Sequence, residues 1–341
     1  MSKILIIQPS IPPYRVSFFE CLANTLEQEL TILHFGTPSG ISHPLINEVI
    51  GEFIEIRNIK YILDLKSILE EYMTIITVFD PHWINAFLLP LTHTDKKIIL
   101  WGHGLGKNKF ISNIRKKLFQ KANSIITYDQ EGKSKIVDLG INQDKIFIAN
   151  NTLLVENSIN TSDSSEKNFL YVGRLQRRKR LDIFLDIFSE LNLGSKGYTI
   201  TILGNGAEEK LYLEGCSKKL NIEQYINFVS GTANENILMN YFSKALYYVS
   251  PEAAGLGVIH SFAYGVPVLT MKSSNHGPEV NNIINIDNGY IFDDIKHFKD
   301  TLLILLNSST AKNMGNNAFE MYRAERNIEN MVNSFIEAIY H

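Results

Sequence analysis

Three observations predict an α/β chain built from two doubly wound parallel sheets. Strand-length apolar runs alternate with helical periodicity from residue 4 to residue 149, the pattern breaks in a polar stretch at 150–168, and the same alternation then restarts and continues to residue 270. Strands that are apolar throughout belong to a sheet covered on both faces, and helical crossovers between them make neighbouring strands parallel. At 341 residues the chain exceeds one ordinary core and fits two domains of about 150 residues each.

In order, the first half shows strand runs at 4–7, 30–35, 75–79, 97–101, 124–127 and 146–149, with helical patterns at 13–28, 64–72, 83–92, 110–122 and 131–139. The Ser/Asn-rich stretch 150–168 has no period and is expected to be a linker. The second half shows strands at 169–172, 198–203, 226–229, 246–249 and 266–270, with helices at 180–192, 207–220, 234–244 and 257–264. From 294 to 341 only helical periodicity remains. The expected domains are 1–155 and 165–320, with a C-terminal helix over 321–341. In such sheets ligands bind beyond the carboxyl ends of the strands, so two units predict an interdomain cleft as the site.

With 45% hydrophobic and 20% charged residues the composition is that of a soluble globular protein. The net charge of −3 gives no overall nucleic-acid footprint. Cys21 and Cys216 fall in separate halves and match neither a metal nor a disulfide spacing. The run after Lys3 is too brief for a signal peptide, and no apolar run is long enough to span a membrane. A reducing, cytoplasmic setting is the expectation.

The most informative stretch is 250–270. It runs from the end of a strand through one carboxylate, Glu252, and the small-residue loop Ala253-Ala254-Gly255-Leu256-Gly257 into a helix carrying Val258 and His260. A loop without bulky side chains lets a phosphate approach backbone N–H groups, although an ordinary strand-to-helix turn uses glycines in the same way. Gly173-Arg174-Leu175, followed by Lys179, comes straight after a strand and places two cations at its end; Arg177, Arg178 and Arg180 fit a solvated run. Gly204-Asn205-Gly206 also follows a strand, but Glu209 stands where a dinucleotide fingerprint needs its third glycine. Ser230-Gly231-Thr232 follows the next strand. In the first half, Pro12 and Pro13 remove N–H donors from the first loop, leaving Tyr14 and Arg15 as its polar side chains. His103, between two glycines, is either a cleft group or part of a surface loop. Asp80 is either a cleft carboxylate or a cap ahead of Pro81. No Asp-x-Asp occurs, so a metal bridging to such carboxylates is not expected. The segment 107–121 holds six cations and no acids, which suits a helix with a solvated basic face or one resting on anionic lipid.

The 250–270 stretch resembles the signature of the group 1 (family 4) retaining glycosyltransferases. That signature has an acidic residue, a small-residue loop, a second acidic residue eight positions on, and then Ala-x-Gly-x-Pro-Val. Counting back from Gly265, Pro267 and Val268 places Glu252 first and His260 second, so His replaces the second carboxylate. A rival alignment starting from Gly255 puts Ala254 at the first position and needs a two-residue deletion. The resemblance implies the GT-B fold, with the C-terminal helix crossing back to the first domain. It implies a nucleotide diphosphate sugar, UDP- or GDP-linked, as donor, and no metal or other cofactor. By resemblance Arg174 and Lys179 hold the diphosphate, Glu252 the donor sugar, His260 the ribose, and His103 lies near the reacting carbon. Gly173, Gly204, Gly206, Thr232, Gly255, Leu256, Gly257, Val258 and Glu279 line the donor pocket, and Tyr14, Arg15 and Asp80 the acceptor side. The Pro-x-Tyr-Arg opening is similar to that of bacterial surface-polysaccharide members, implying a saccharide acceptor on a lipid carrier, used in capsule, O-antigen or lipopolysaccharide assembly at the inner face of the membrane. A nucleotide-sugar epimerase of the same fold and a non-catalytic nucleotide-sugar-binding subunit remain alternatives.

Overall fold

The computed structural model describes residues 3–102, 109–162, 166–306 and 308–341. The chain divides into two compact units, one formed by Met1–Leu154 with Asn327–His341, the other by Val155–Arg326.

The strands of the first unit are β1 (Ile4–Ile7), β2 (Leu30–His34), β3 (Ile46–Ile50), β4 (Phe53–Ile56), β5 (Ile59–Ile62), β6 (Thr74–Val78), β7 (Lys97–Trp101), β8 (Ser124–Thr127) and β9 (Ile146–Ile148). Seven of them form a parallel sheet in the order β3-β2-β1-β6-β7-β8-β9. Alternate residues of one strand enter opposite cores. Leu5, Ile7, Ile75 and Leu100 face one side, while Ile4, Ile6, Ile76 and Ile99 face the other. That two-sided burial is why these strands are apolar at every position.

The second of these cores is closed by helices Pro13–Leu26 and Ile328–Tyr340. Phe335 of the C-terminal helix meets Phe18 edge-on at 4.8 Å and Trp101 at 4.9 Å. Burial of each such ring contributes about 1.5–3 kcal/mol, enough to fix where this helix docks. The pair β4 and β5 stands apart as an antiparallel hairpin turned through Arg57 and Asn58, both at positive φ. Phe53 and Lys60 face inward to Trp83, and Ile54, Ile56, Ile59 and Tyr61 are exposed on the outer face.

The second unit contains β10 (Asn168–Val172), β11 (Thr199–Leu203), β12 (Ile226–Val229), β13 (Ala245–Val249), β14 (Val268–Met271) and β15 (Gly289–Phe292). They form a parallel sheet in the order β12-β11-β10-β13-β14-β15. The chain builds outward from β10 through β11 to β12, then returns to the other side of β10 with β13. Strand order therefore reverses between β10 and β13, and the loops that leave those two strands flank the reversal.

Candidate active site

The loops after β10 and β13 are joined directly. The Lys179 ammonium donates to the Ala253 carbonyl, and the Glu252 N–H donates to the Lys179 carbonyl at 3.2 Å. Two stretches separated by 74 residues in sequence thus form one surface at the point where strand order reverses. Burial, reinforced by the neighbouring charges of Arg178 and Arg174 and opposed by Glu279, lowers Lys179 to about 8. Arg174 is exposed beside it.

Close backbone approach explains the glycines here. A Cβ on Gly204 would lie 1.9 Å from the Gly173 carbonyl oxygen, so the loops after β10 and β11 can touch only if that side chain is absent. A Cβ on Gly257 would lie 2.1 Å from the Tyr248 hydroxyl, which donates to the Val172 carbonyl at 3.0 Å and ties β13 to β10. The loop after β12 joins the same edge, since Gly231 N–H donates to Asn205 Oδ1 at 2.9 Å and Thr232 Oγ1 accepts from Asn234 N–H at 3.0 Å.

The segment 271–279 braces the Glu252 loop from the other side, and its contribution was not foreseen beyond Glu279. Glu252 Oε2 accepts from Ser273 Oγ at 3.3 Å and from Asn275 Nδ2 at 3.1 Å. His276 Nδ1 accepts from Ala254 N–H at 3.0 Å while its Nε2 donates to the Met271 carbonyl at 2.6 Å, and Gly277 N–H donates to the Ala254 carbonyl at 2.8 Å. Ala253 itself sits at φ 49°, a left-handed conformation disfavoured for a residue with a Cβ. Glu279 is buried, with its Oε2 3.9 Å from where a Gly255 Cβ would stand.

His276 must be neutral to make both bonds, and burial holds it below the ordinary histidine value against the opposing effects of Met271 and Glu252. The unfolded chain binds that proton more readily, so the contribution to stability is complete above about pH 6.5 and is lost as pH falls through the lower folded value. We expect the melting temperature of the wild type to drop between pH 7 and 5 more steeply than that of His276→Asn. Parallel thermal profiles for the two proteins would remove His276 from the loop's support.

Other expected site residues are placed as follows. The side chain of Val258 is fully buried, and its N–H is bonded to the Gly255 carbonyl at 2.9 Å; Leu256 is half-buried in the same turn. His260 does not point into open space, because its Nε2 lies 2.7 Å from Glu235 Oε1. In the first unit Tyr14 is exposed, whereas Arg15 is only 3% exposed and turned inward. Its guanidinium lies over the Tyr14, Phe18, Trp101 and Tyr128 rings and donates to Asn151 and to the Met331 sulfur. Asp80 Oδ1 accepts from the His82 N–H at 3.0 Å and lies 2.7 Å from His82 Nδ1, closing its own turn. His103 lies outside the described residues. On the basic helix Lys109–Lys121, Arg115 is buried near Asp80, so it does not belong to the basic face, which Lys116, Lys117 and Lys121 carry among the described side chains; Lys107 and the side chain of Lys109 lie outside them. Among the described residues no three His, Cys, Asp or Glu side chains are grouped to hold a metal ion, and no helix is long and apolar enough to cross a membrane.

Residues 156–321, almost the whole second unit, match the family model of "Glycosyl transferases group 1". A curated relative, an uncharacterized glycosyltransferase of Haemophilus influenzae, is 27% identical over 230 residues, which are 64% of this chain and 63% of the relative. The match therefore spans less than two thirds of that relative's length. Among solved structures, sucrose-phosphate synthase from Thermosynechococcus elongatus superposes with a TM-score of 0.76 at 17% identity, covering 99% of this chain and 98% of that one. A lipopolysaccharide outer core galactosyltransferase in its apo form gives 0.70 at 16% identity, with 99% of each chain covered. The Anabaena protein HepE, solved with UDP-glucose, gives 0.72 at 12% identity over the whole of both chains. These likenesses, with the two parallel-sheet units, establish the GT-B fold.

Proposed function

We propose that this chain moves a sugar from a nucleotide diphosphate sugar to a saccharide acceptor with retention at the anomeric carbon. The observation that carries the proposal is the junction of the Arg174–Lys179 loop with the Glu252 loop beside the strand-order reversal. The two cations neutralise charge developing on the leaving diphosphate, a role that a divalent ion fills in other transferases. The Glu252 carboxylate, steadied by Ser273 and Asn275, accepts hydrogen bonds from hydroxyls of the donor sugar. With the leaving phosphate taking the acceptor proton, no separate general base is required. On the acceptor side the proposal retains Tyr14; Arg15, enclosed among aromatic rings, shapes that loop rather than meeting the ligand.

Thermal-shift measurements with UDP, GDP, CMP and their sugars test the proposal. The matching diphosphate at 100 times its dissociation constant is expected to add about 2.7 kcal/mol of stability. Transfer of labelled sugar from the stabilising donor to a lipid-extract acceptor should follow. Failure of every nucleotide to bind overturns the proposal, and a donor epimerised without acceptor replaces transfer with epimerisation.

A lipid-linked acceptor in surface glycan assembly extends the proposal to the inner face of a membrane, with Lys116, Lys117 and Lys121 against anionic headgroups at about 1 kcal/mol each. Changing these three to Gln is expected to reduce flotation with phosphatidylglycerol vesicles while sparing transfer to a soluble acceptor analogue. Unchanged flotation at low salt returns the helix to a solvated face.

A further inference from the structure

The family signature has a carboxylate where this chain has His260, and the structure shows what stands beside that histidine. Glu235 opens the helix Glu235–Phe242, which follows the loop after β12. Its Oε1 lies 2.7 Å from His260 Nε2 and accepts from the Tyr264 hydroxyl at 2.6 Å. Phe242, at the other end of the same helix, packs against both rings with centroids 4.9 Å away in each case. The position of the carboxylate is further fixed at the backbone, because Asn234 caps the helix through Asn236 and Ile237 N–H groups and the preceding loop is tied to Asn205.

Both donors converge on one oxygen. Among the described residues no partner is recorded for Oε2, and the side chain remains 30% exposed. Burial pushes the Glu235 carboxyl up, but the bond from His260 with its charge and the bond from Tyr264 more than offset this, so its titration lies below the ordinary range. A carboxylate oxygen whose ionised form is favoured, fixed in place and open on one side, is an acceptor for neutral hydroxyl donors. It stands on the loop edge of a doubly wound sheet, where an acidic residue commonly takes the ribose hydroxyls of a bound nucleotide.

We propose that Glu235 supplies the carboxylate that accepts the ribose hydroxyls of the donor nucleotide, with His260 and Tyr264 as the positioning residues that hold it. This rests on the nucleotide-sugar reading given above. It makes the histidine at position 260 part of an exchange, in which the acid reaches the ribose from a neighbouring helix and the residue on the signature helix becomes its holder.

Calorimetric titration with UDP or GDP, whichever binds, and with its 2′-deoxy and 3′-deoxy forms tests the inference. The wild type is expected to bind the ribonucleotide at least about 10-fold more tightly than one of the deoxy forms, the scale of a hydrogen bond to a charged group. Glu235→Ala should lose that same factor for the ribonucleotide and leave the affinity for the deoxy form within about twofold, because a missing hydroxyl cannot be lost twice. Glu235→Gln, nearly isosteric, is the second variant should alanine compromise folding, and it should lose part of the discrimination. His260→Ala should move in the same direction by less. Equal affinity of the wild type for ribo and deoxy forms, or equal weakening of both by either Glu235 variant, overturns the assignment while leaving nucleotide binding intact. Absence of binding by every nucleoside diphosphate overturns this inference and the proposed function together.

Discussion

Lys179→Ala is expected to lower turnover by about 10²-fold or more with little change in melting temperature, and Arg174→Ala to act in the same direction. The structure puts the Lys179 ammonium on a backbone carbonyl of the very loop that carries Glu252, with Arg174 exposed at its side. Removing either cation leaves negative charge on a departing diphosphate without its fixed partner. The fold should tolerate the change, because Lys179 gives up one hydrogen bond to Ala253 and no ion pair is recorded for it among the described residues. A second signature follows from its lowered titration. With Lys179 at about 8 in the free protein, kcat/KM should fall as pH rises through that value, since the deprotonated amine no longer neutralises phosphate. Lys179→Arg should carry that alkaline limb beyond the accessible range, because a guanidinium stays charged. Wild-type turnover in the Arg174/Lys179 double alanine variant would remove the assignment.

The second unit was the more legible of the two in the sequence, for a physical reason. Its central strands are buried on both faces, so 169–172 and 246–249 announce themselves as apolar runs, and Gly204, which leaves β11, is demanded by contact with the loop after β10. Edge elements gave no such pattern. β3, half exposed at the sheet margin, reads Ile-Asn-Glu-Val-Ile, and the β4–β5 hairpin turns on Arg57 and Asn58 rather than on an Asn-Gly pair that would have marked it. β15 begins with a glycine and is only four residues long, too short to stand out from the loop before it.

Within the candidate site, the sequence could point only to residues that follow a strand end. Arg174, Lys179 and Glu252 qualified by position alone. What could not be anticipated depends on partners from other elements. His260 was expected to meet a ribose, yet the carboxylate that occupies it comes from 25 residues earlier on a separate helix, and no local spacing marks that pair. Arg15 was expected on the acceptor side as one of the first loop's polar side chains. Four aromatic rings drawn from one helix, a strand end and the loop after β8 give its guanidinium a place inside instead. Ser273 and Asn275 looked like ordinary loop residues, and only the return of their segment to the β13 loop makes them ligands of Glu252.

Glu252→Gln is expected to reduce turnover by about 10²-fold or more while changing nucleotide affinity less than about twofold. The geometry gives the reason. Ser273 Oγ and Asn275 Nδ2 both donate to the same oxygen of Glu252, which leaves the other oxygen as the acceptor for a sugar hydroxyl. An amide in its place has one oxygen and one NH2. If the amide oxygen stays with the two donors, the ligand meets an NH2 where it needs an acceptor; if the amide flips, the NH2 faces two donors and that side becomes unsatisfied. Either arrangement removes an interaction with the sugar and none with the nucleotide, so the loss should fall on kcat with the dissociation constant for the free diphosphate nearly unchanged. The rival alignment makes the opposite statement, because it treats Ala254 as the acidic position. Ala254 is 2% exposed and its N–H is held by His276, so a carboxylate there would be buried against the loop's own support. Ala254→Glu should therefore destabilise the protein and add no activity. A silent Glu252→Gln together with a more active Ala254→Glu would show that the sugar-binding carboxylate had been placed two residues too early.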